Sequence, residues 1–182
     1  MHNSVMNFIG KHFRPEEIAG REILEIGALD VNGSPRDYIN LWKPAKYVGT
    51  DMRAGKGVDL VLDGMKVHEH FGESAFDVVL CFEVLEHAEN WKALVSSAKK
   101  VLRPGGIMFF TTRSPGFPYH EFPHDHWRFT SPHFFRIFSD MNTEAMALDD
   151  QFPGVFIKAR KPANFKEADL SQVEAVRMEK PA

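Results

Sequence analysis

Apolar positions in this chain fall into two kinds of run, short nearly continuous blocks and longer stretches with helical spacing. Residues 22–26, 46–51, 58–63, 76–82 and 107–112 form the blocks and are predicted as strands. Between them, Val5, Met6, Phe8, Ile9 and Phe13 predict a leading helix over 4–13. Arg14-Pro15-Glu16-Glu17 then restarts the chain with proline in a first turn. Ser34-Pro35 starts another helix, with Ser as cap and Pro at the first helical position, and Pro44 stops it. A short helical or irregular piece is expected over about 66–72. From Asn90 to Leu102, Trp91, Leu94, Val95, Ala98, Val101 and Leu102 recur at amphipathic spacing, and Gly105-Gly106 closes the helix.

The pattern breaks after Arg113. Residues 114–130 are rich in proline, histidine and aromatics and have no period, too long a segment for a mere connector. A helix over about 131–140 follows, with Ser131-Pro132 as its cap and first position. Residues 143–150 and 155–161 flank Phe152-Pro153-Gly154 and predict an antiparallel hairpin. Beyond Pro162 both charge signs mix with few apolar residues, so either a solvated helix over about 166–179 or a mobile tail is expected.

Nearly continuous apolar strands alternating with helices predict an α/β fold: a doubly wound, Rossmann-like, mostly parallel sheet covered on both faces and ending in the antiparallel hairpin. No repeat or linker divides the chain, so one domain over 1–182 is expected, with its core over about 20–161 and a tail over 162–182. Lys plus Arg is 22 and Asp plus Glu is 25, a formal charge of -3, which gives no bulk field for a phosphate backbone. No nucleic-acid partner is expected. The single cysteine, Cys81, lies in an apolar block and reads as a small hydrophobe rather than a nucleophile. The N-terminus lacks a leader-like apolar core, and no window approaches the roughly 18 apolar residues of a membrane span. A cytoplasmic location without a membrane partner is the expectation.

Candidate chemistry gathers at the strand ends. Gly27 follows the first strand, where open α/β sheets bind nucleotides, and Asp51 ends the next strand, placed to accept bonds from ribose hydroxyls. Together they predict a nucleoside-containing ligand. Glu25-Ile-Gly27, Tyr47-Val-Gly-Thr-Asp51, Phe76 through Glu83-Val-Leu-Glu86-His87 and Leu102-Arg-Pro-Gly-Gly-Ile-Met-Phe-Phe-Thr-Thr112 occur in that order. Over residues 20–160 the chain resembles class I S-adenosylmethionine-dependent methyltransferases, in particular the broad type 11 group. The resemblance implies S-adenosyl-L-methionine as cofactor and methyl transfer as activity. It further implies that Glu25 and Gly27 line the methionine part, that Asp51 holds the ribose diol and that Met52 packs on the adenine. Asp63, Gly64 and Met65 would face the adenine edge, and Phe82 and Glu83 would flank the sulfonium with His87 nearby.

One departure stands out. The family's first loop has three alternate glycines, whereas Leu29 and Val31 occupy the second and third of those positions here. Either the loop takes another path, with Asn32-Gly33 as its turn, or cofactor affinity falls.

Glu83 and Glu86 would share a face if their segment were helical, though a cofactor contact and a helix-start carboxylate suit them better than an acid–base pair. For the segment 114–130, Phe117, Tyr119, Phe122, Trp127 and Phe129 are expected as apolar walls for a small substrate. His124 or His126 is the candidate general base. Two other readings compete: His120, His124 and His126 with Glu121 or Asp125 as metal ligands, or an Asp125–Arg128 pair with histidines bracing the loop. No metal is expected, because no second cluster with firm spacing exists elsewhere. The run Phe82-Glu83-Val84-Leu85 stands where methylases of nucleobase amino groups carry an (Asp/Asn/Ser)-Pro-Pro-(Tyr/Phe) loop, so a small-molecule acceptor methylated on oxygen or nitrogen is expected. The rivals are a noncatalytic cofactor-binding module and a nicotinamide-dependent oxidoreductase.

Overall fold

A computed structural model describes residues 2–121 and 124–180. Seven strands build one sheet: β1 (Glu22–Ile26), β2 (Lys46–Asp51), β3 (Leu60–Val61), β4 (Phe76–Phe82), β5 (Leu102–Arg113), β7 (Asn142–Leu148) and β8 (Gly154–Arg160). Their order is β3-β2-β1-β4-β5-β8-β7. The first five are parallel, and β8 runs antiparallel between β5 and β7. The expected sheet and terminal hairpin are therefore both present.

Side chains alternate across this sheet with the period of two that strands impose. Leu24, Ile26, Val79, Cys81, Met108 and Phe110 pack on one face beneath helices α4 (Trp91–Val101) and α5 (Ser131–Ile137). Ile23, Val78, Leu80, Phe82, Ile107 and Phe109 pack on the other, against Val5, Phe8 and Ile9 of α1 (Asn3–His12) and Ile39 of α2 (Arg36–Asn40). Phe13 stacks on Phe109 with ring centroids 4.0 Å apart. Cys81 is buried and burial pushes its thiol pKa well up, as a structural cysteine requires.

Four elements differ from expectation. The third strand is two residues long, because the Asp59 carboxylate takes the Gly49 N–H (2.7 Å) and interrupts the ladder with β2. Helix α2 begins after Pro35, with the Ser34 hydroxyl accepting from Arg36 N (3.1 Å), and ends before Lys43, whose φ of 53° is left-handed. The predicted fifth strand gains the residues before it, so that Gly105-Gly106 lie inside β5 rather than merely closing α4. Helix α5 is capped by Thr130 in a box with His133, not by Ser131.

The tail is neither a helix nor unattached. Leu170 and Val173 insert into the core, and β9 (Val176–Arg177) pairs antiparallel with β6 (Trp127–Arg128). Ala168 N donates to Asp140 (2.9 Å), whose carboxylate also holds the buried Lys99 ammonium (2.7 Å). An extended path lets both apolar side chains reach the core, which a solvated helix would forgo. Replacing Leu170 with Ala should therefore cost about 2 kcal/mol in urea-induced unfolding. A loose tail would give no change.

Candidate active site

Strands β1 and β4 lie side by side, but the chain leaves them toward opposite edges of the sheet. Open α/β sheets bind ligands outside the carboxyl ends of strands at such a switch point. A cavity of about 580 Å³ opens there, in the range of small-molecule sites. Every residue the sequence nominated for cofactor or catalysis lines it.

At the end of β1, Glu25 is 3% exposed and accepts a hydrogen bond from the Tyr47 hydroxyl (2.9 Å). Burial pushes its pKa up to about 7. Gly27 has φ 79°, and a Cβ there would lie 2.1 Å from Val84 Cγ2. Its bareness thus seats Val84 between the two strand ends, beyond providing the turn. The following loop is tied by Gly27 N and Ala28 N to the Thr50 carbonyl (2.8 and 2.9 Å) and by Asp30 N to the Lys56 carbonyl (2.8 Å). Gly33, at φ 119°, turns the chain and donates to Asp30 (2.8 Å), while Leu29 packs on Gly55 and Val31 is largely exposed, both at the cavity's edge. The loop so routes both bulky side chains, with Asn32-Gly33 as the turn.

At the end of β2, Asp51 accepts from Arg53 N (3.0 Å) and more distantly from Leu29 N (3.4 Å). A carboxylate offers about four lone-pair directions, so it retains acceptor capacity. Met52 is 66% exposed beside it. Asp63 caps the turn Gly64–Lys66 by accepting from Met65 N (2.9 Å). Leu62, Met65 and Leu94 make this end of the cavity apolar.

At the end of β4, Phe82 is buried and Glu83 adopts φ 57°. A left-handed conformation costs a non-glycine residue roughly 1–2 kcal/mol. Here it aims the Glu83 carboxylate at the buried Arg113 guanidinium, with which it pairs, and at His2 Nδ1 (2.9 Å). Arg113 also donates to Asp149 (2.9 Å) and lies over the Phe117 ring (4.6 Å). Glu86 goes elsewhere. It sits in the single turn Leu85–His87, wholly buried, with one oxygen accepting from the Thr112 hydroxyl (2.7 Å) and Oε1 without a partner. Burial pushes its pKa up to about 7. The two carboxylates therefore do not form an acid–base pair on one face.

The histidine-rich segment is held by a buried ion pair. Arg128 clasps both oxygens of Asp125 and donates to the carbonyls of Pro118 and Trp127 (2.9 Å each). Asp125 in turn accepts from His120 N (2.8 Å). The Asp125–Arg128 pair weighed as an alternative is present, and the pair itself rather than the histidines braces the segment. The expected aromatic wall is not present. Trp127 donates to the Ala88 carbonyl (2.9 Å), Phe129 packs on Trp91, Phe117 covers Arg113, and the Tyr119 hydroxyl bonds Glu121 (3.1 Å). None of these four lines the cavity, since each is used to fix the segment. Phe122 lies outside the described residues. Histidines face the cavity in their place: His2, His87, His120, His124 and His126 line it, five of the nine in the chain. Sequence reasoning missed His2 and Arg113. The one local signal for Arg113 was a cation ending an otherwise apolar strand.

A family model described as "Methyltransferase domain" matches residues 11–146. A ubiquinone biosynthesis O-methyltransferase of Vibrio atlanticus is 24% identical over 144 residues, covering 65% of this chain and 61% of that protein. The chain thus spans under two thirds of that relative's length. Among solved structures, a Burkholderia thailandensis 1,6-didemethyltoxoflavin-N1-methyltransferase with bound S-adenosylhomocysteine aligns with a TM-score of 0.60 at 15% identity, covering 87% of this chain and 76% of that one. The [4+2]-cyclase SpnF aligns at 0.64 and 14% identity, covering 87% and 80%. Both share the fold, and the second is named for a different reaction, so the fold alone does not assign the chemistry.

Glu25 yields a test of the site's electrostatics. Its folded pKa of about 7 exceeds its ordinary 4.5, so the native state keeps a proton that the unfolded chain releases between those values. Stability from this group is full below pH 4.5 and falls as pH rises through 7. Glu25→Gln removes the penalty and keeps an acceptor for Tyr47. In urea unfolding, the variant should gain about 3 kcal/mol more over the parent at pH 8 than at pH 4.

Proposed function

The chain belongs to the methyltransferase-domain family, and from that membership we propose that it transfers a methyl group from S-adenosyl-L-methionine to a small-molecule acceptor. The observation that carries this reading is the two-ended cavity: Asp51 and an apolar rim at one end, histidines and a buried arginine–carboxylate cluster at the other. Asp51 would accept the ribose hydroxyls, with Met52 and Met65 against the adenine and Asp63 at its edge. Glu25, about half protonated at neutral pH in the free protein, would ionise fully beside the cofactor's ammonium group. Gly27, Gly64 and Phe82 would shape the walls between them, and Glu83 and His87 would flank the sulfonium.

The acceptor enters at the histidine end. S-adenosyl-L-methionine, when bound, would supply a methyl group activated by its sulfonium, which the acceptor's oxygen or nitrogen would take with S-adenosylhomocysteine as the leaving product. The sulfonium is already activated, so the protein's contribution is to align, to exclude water and to remove the acceptor's proton. His124 and His126 are assigned that last task. The relatives include an O-methyltransferase and an N-methyltransferase by name, which suits either atom. Net charge of -3 and the absence of a basic run favour a small acceptor over nucleic acid. A cytoplasmic location is kept as part of this proposal.

Calorimetric titration tests the cofactor. S-adenosylmethionine and S-adenosylhomocysteine should both bind, and Asp51→Ala should weaken them by roughly 10- to 100-fold, the worth of hydrogen bonds to a charged group. Binding of NAD instead would overturn the reading. Methyl transfer is followed with a labelled methyl donor and a panel of phenols and amines. Substituting His124 and His126 together by Ala should lower turnover on a methylated panel member by roughly 10²- to 10⁴-fold. Unchanged turnover would take the base assignment away from both.

A further inference from the structure

We propose that Glu86, His87 and His120 form a binding site for a divalent first-row transition metal, open toward the histidine end of the cavity. One ligand atom from each residue lies within 4.8 Å of the others. The residues come from a turn after β4 and from a loop 33 positions later, so their convergence is a product of the fold.

Two orphaned atoms point to an occupant. Glu86 Oε1 and His120 Nδ1 are both buried without a hydrogen-bond partner. Leaving such a group unmet is costly, and native proteins leave few of them. These two fall in one cluster. Glu86 is wholly buried, and its second oxygen is fixed by Thr112. Among the described residues it has no cationic partner within ion-pair reach, whereas its neighbours Glu83 and Asp125 each hold an arginine. A cation is the complement this carboxylate lacks.

His87 is oriented as metal-bound imidazoles are. Its Nδ1 contacts the His124 carbonyl oxygen, which sets the tautomer with Nδ1 protonated and leaves the Nε2 lone pair free. The His87 and His120 rings are neighbours, 4.8 Å between centroids. His120 Nδ1 lies 3.1 Å from the Asp125 carboxylate but outside hydrogen-bonding geometry, so this carboxylate neighbours the imidazole without engaging it. Metal–ligand distances near 2.1 Å place ligand atoms roughly 3–4 Å apart, so the cluster must contract slightly. His120, on a loop and with a side chain 37% exposed, is the member free to move inward.

Two imidazoles and one carboxylate suit iron, cobalt, manganese or zinc better than magnesium or calcium, which favour all-oxygen sites. One carboxylate against a divalent ion leaves a net positive centre with open positions. It would take an oxygen of the acceptor and favour its deprotonated form, a consequence that rests on the methyl-transfer reading; the metal site itself does not.

The test is independent of catalysis. Protein dialysed against a chelator is titrated with Co²⁺, and binding is read from visible ligand-field absorption and from metal content after gel filtration. One equivalent should bind. Glu86→Gln and His120→Ala should each weaken binding by roughly 10-fold or more, while His70→Ala, at an exposed residue of the short helix Val67–Phe71 outside the cavity lining, should not. His120 is a loop residue, so its variant keeps the measurement decisive where Glu86→Gln fails to fold. Absence of stoichiometric binding by the parent overturns the proposal, as does binding that His120→Ala leaves unchanged. S-adenosylmethionine titration of the same samples separates this outcome from failure of the methyl-transfer reading, because Glu86 and His120, the two residues substituted, are not assigned to the cofactor, whose binding draws on Asp51.

Discussion

The buried Arg113 guanidinium is the constraint on which the site depends. It closes β5, is 1% exposed, and is shared by Glu83 at the end of β4 and Asp149 in the hairpin between β7 and β8. The same two carboxylates engage the start of α1, through His2 and the Ser4 hydroxyl (2.9 Å). One cation thereby fixes three separate pieces of chain over one end of the cavity. Burying an arginine is expensive unless its donors are met, and removing one partner of such a pair typically costs 3–5 kcal/mol. The left-handed Glu83 backbone is affordable because this network holds it.

A second cation plays the equivalent part for the histidine-rich segment. Arg128 and Asp125 are both buried and neutralise one another, and the arginine's remaining donors satisfy carbonyls of the loop that passes over it. The tail completes the clamp, since β9 pairs with β6 and Met178 N donates to the His126 carbonyl (2.8 Å). Histidines at a site must be held in geometry by their surroundings to act on a ligand. Here that support comes from backbone pairing and an ion pair, which leaves the imidazoles themselves facing the cavity.

How much of this was legible in the sequence follows from the range of each interaction. Strands β1, β2 and β4 were readable to the residue because apolar blocks and terminal glycine or aspartate are local signals. Every residue nominated for cofactor binding or as general base lies at the cavity, because strand ends converge once the sheet order is right. Local signals failed where distant groups decided. Asp59 cut β3 short through a hydrogen bond to another strand, and Leu170 and Val173 drew the tail into the core against its polar composition. The aromatics of 114–130 read as substrate walls because their number was visible and their partners, Ala88, Trp91 and Arg113, were not.

The fates of Glu83 and Glu86 show why spacing alone could not assign the chemistry. Three positions apart, they would be equivalent on a helix, yet a positive φ at the first and a single tight turn at the second send them to opposite surroundings. Glu83 meets a permanent cation and a histidine, so its charge is matched within the protein. Glu86 meets a threonine hydroxyl and an unfilled space beside two imidazoles, so its charge is not. Arg113 is what divides them. By claiming the first carboxylate it frees the histidine end of the cavity from a competing anion and leaves one carboxylate there with an unmet demand for positive charge. An acceptor whose proton must leave as the methyl arrives has use for that polarity. The two glutamates are thus one carboxylate whose charge is matched within the protein and one whose charge is not.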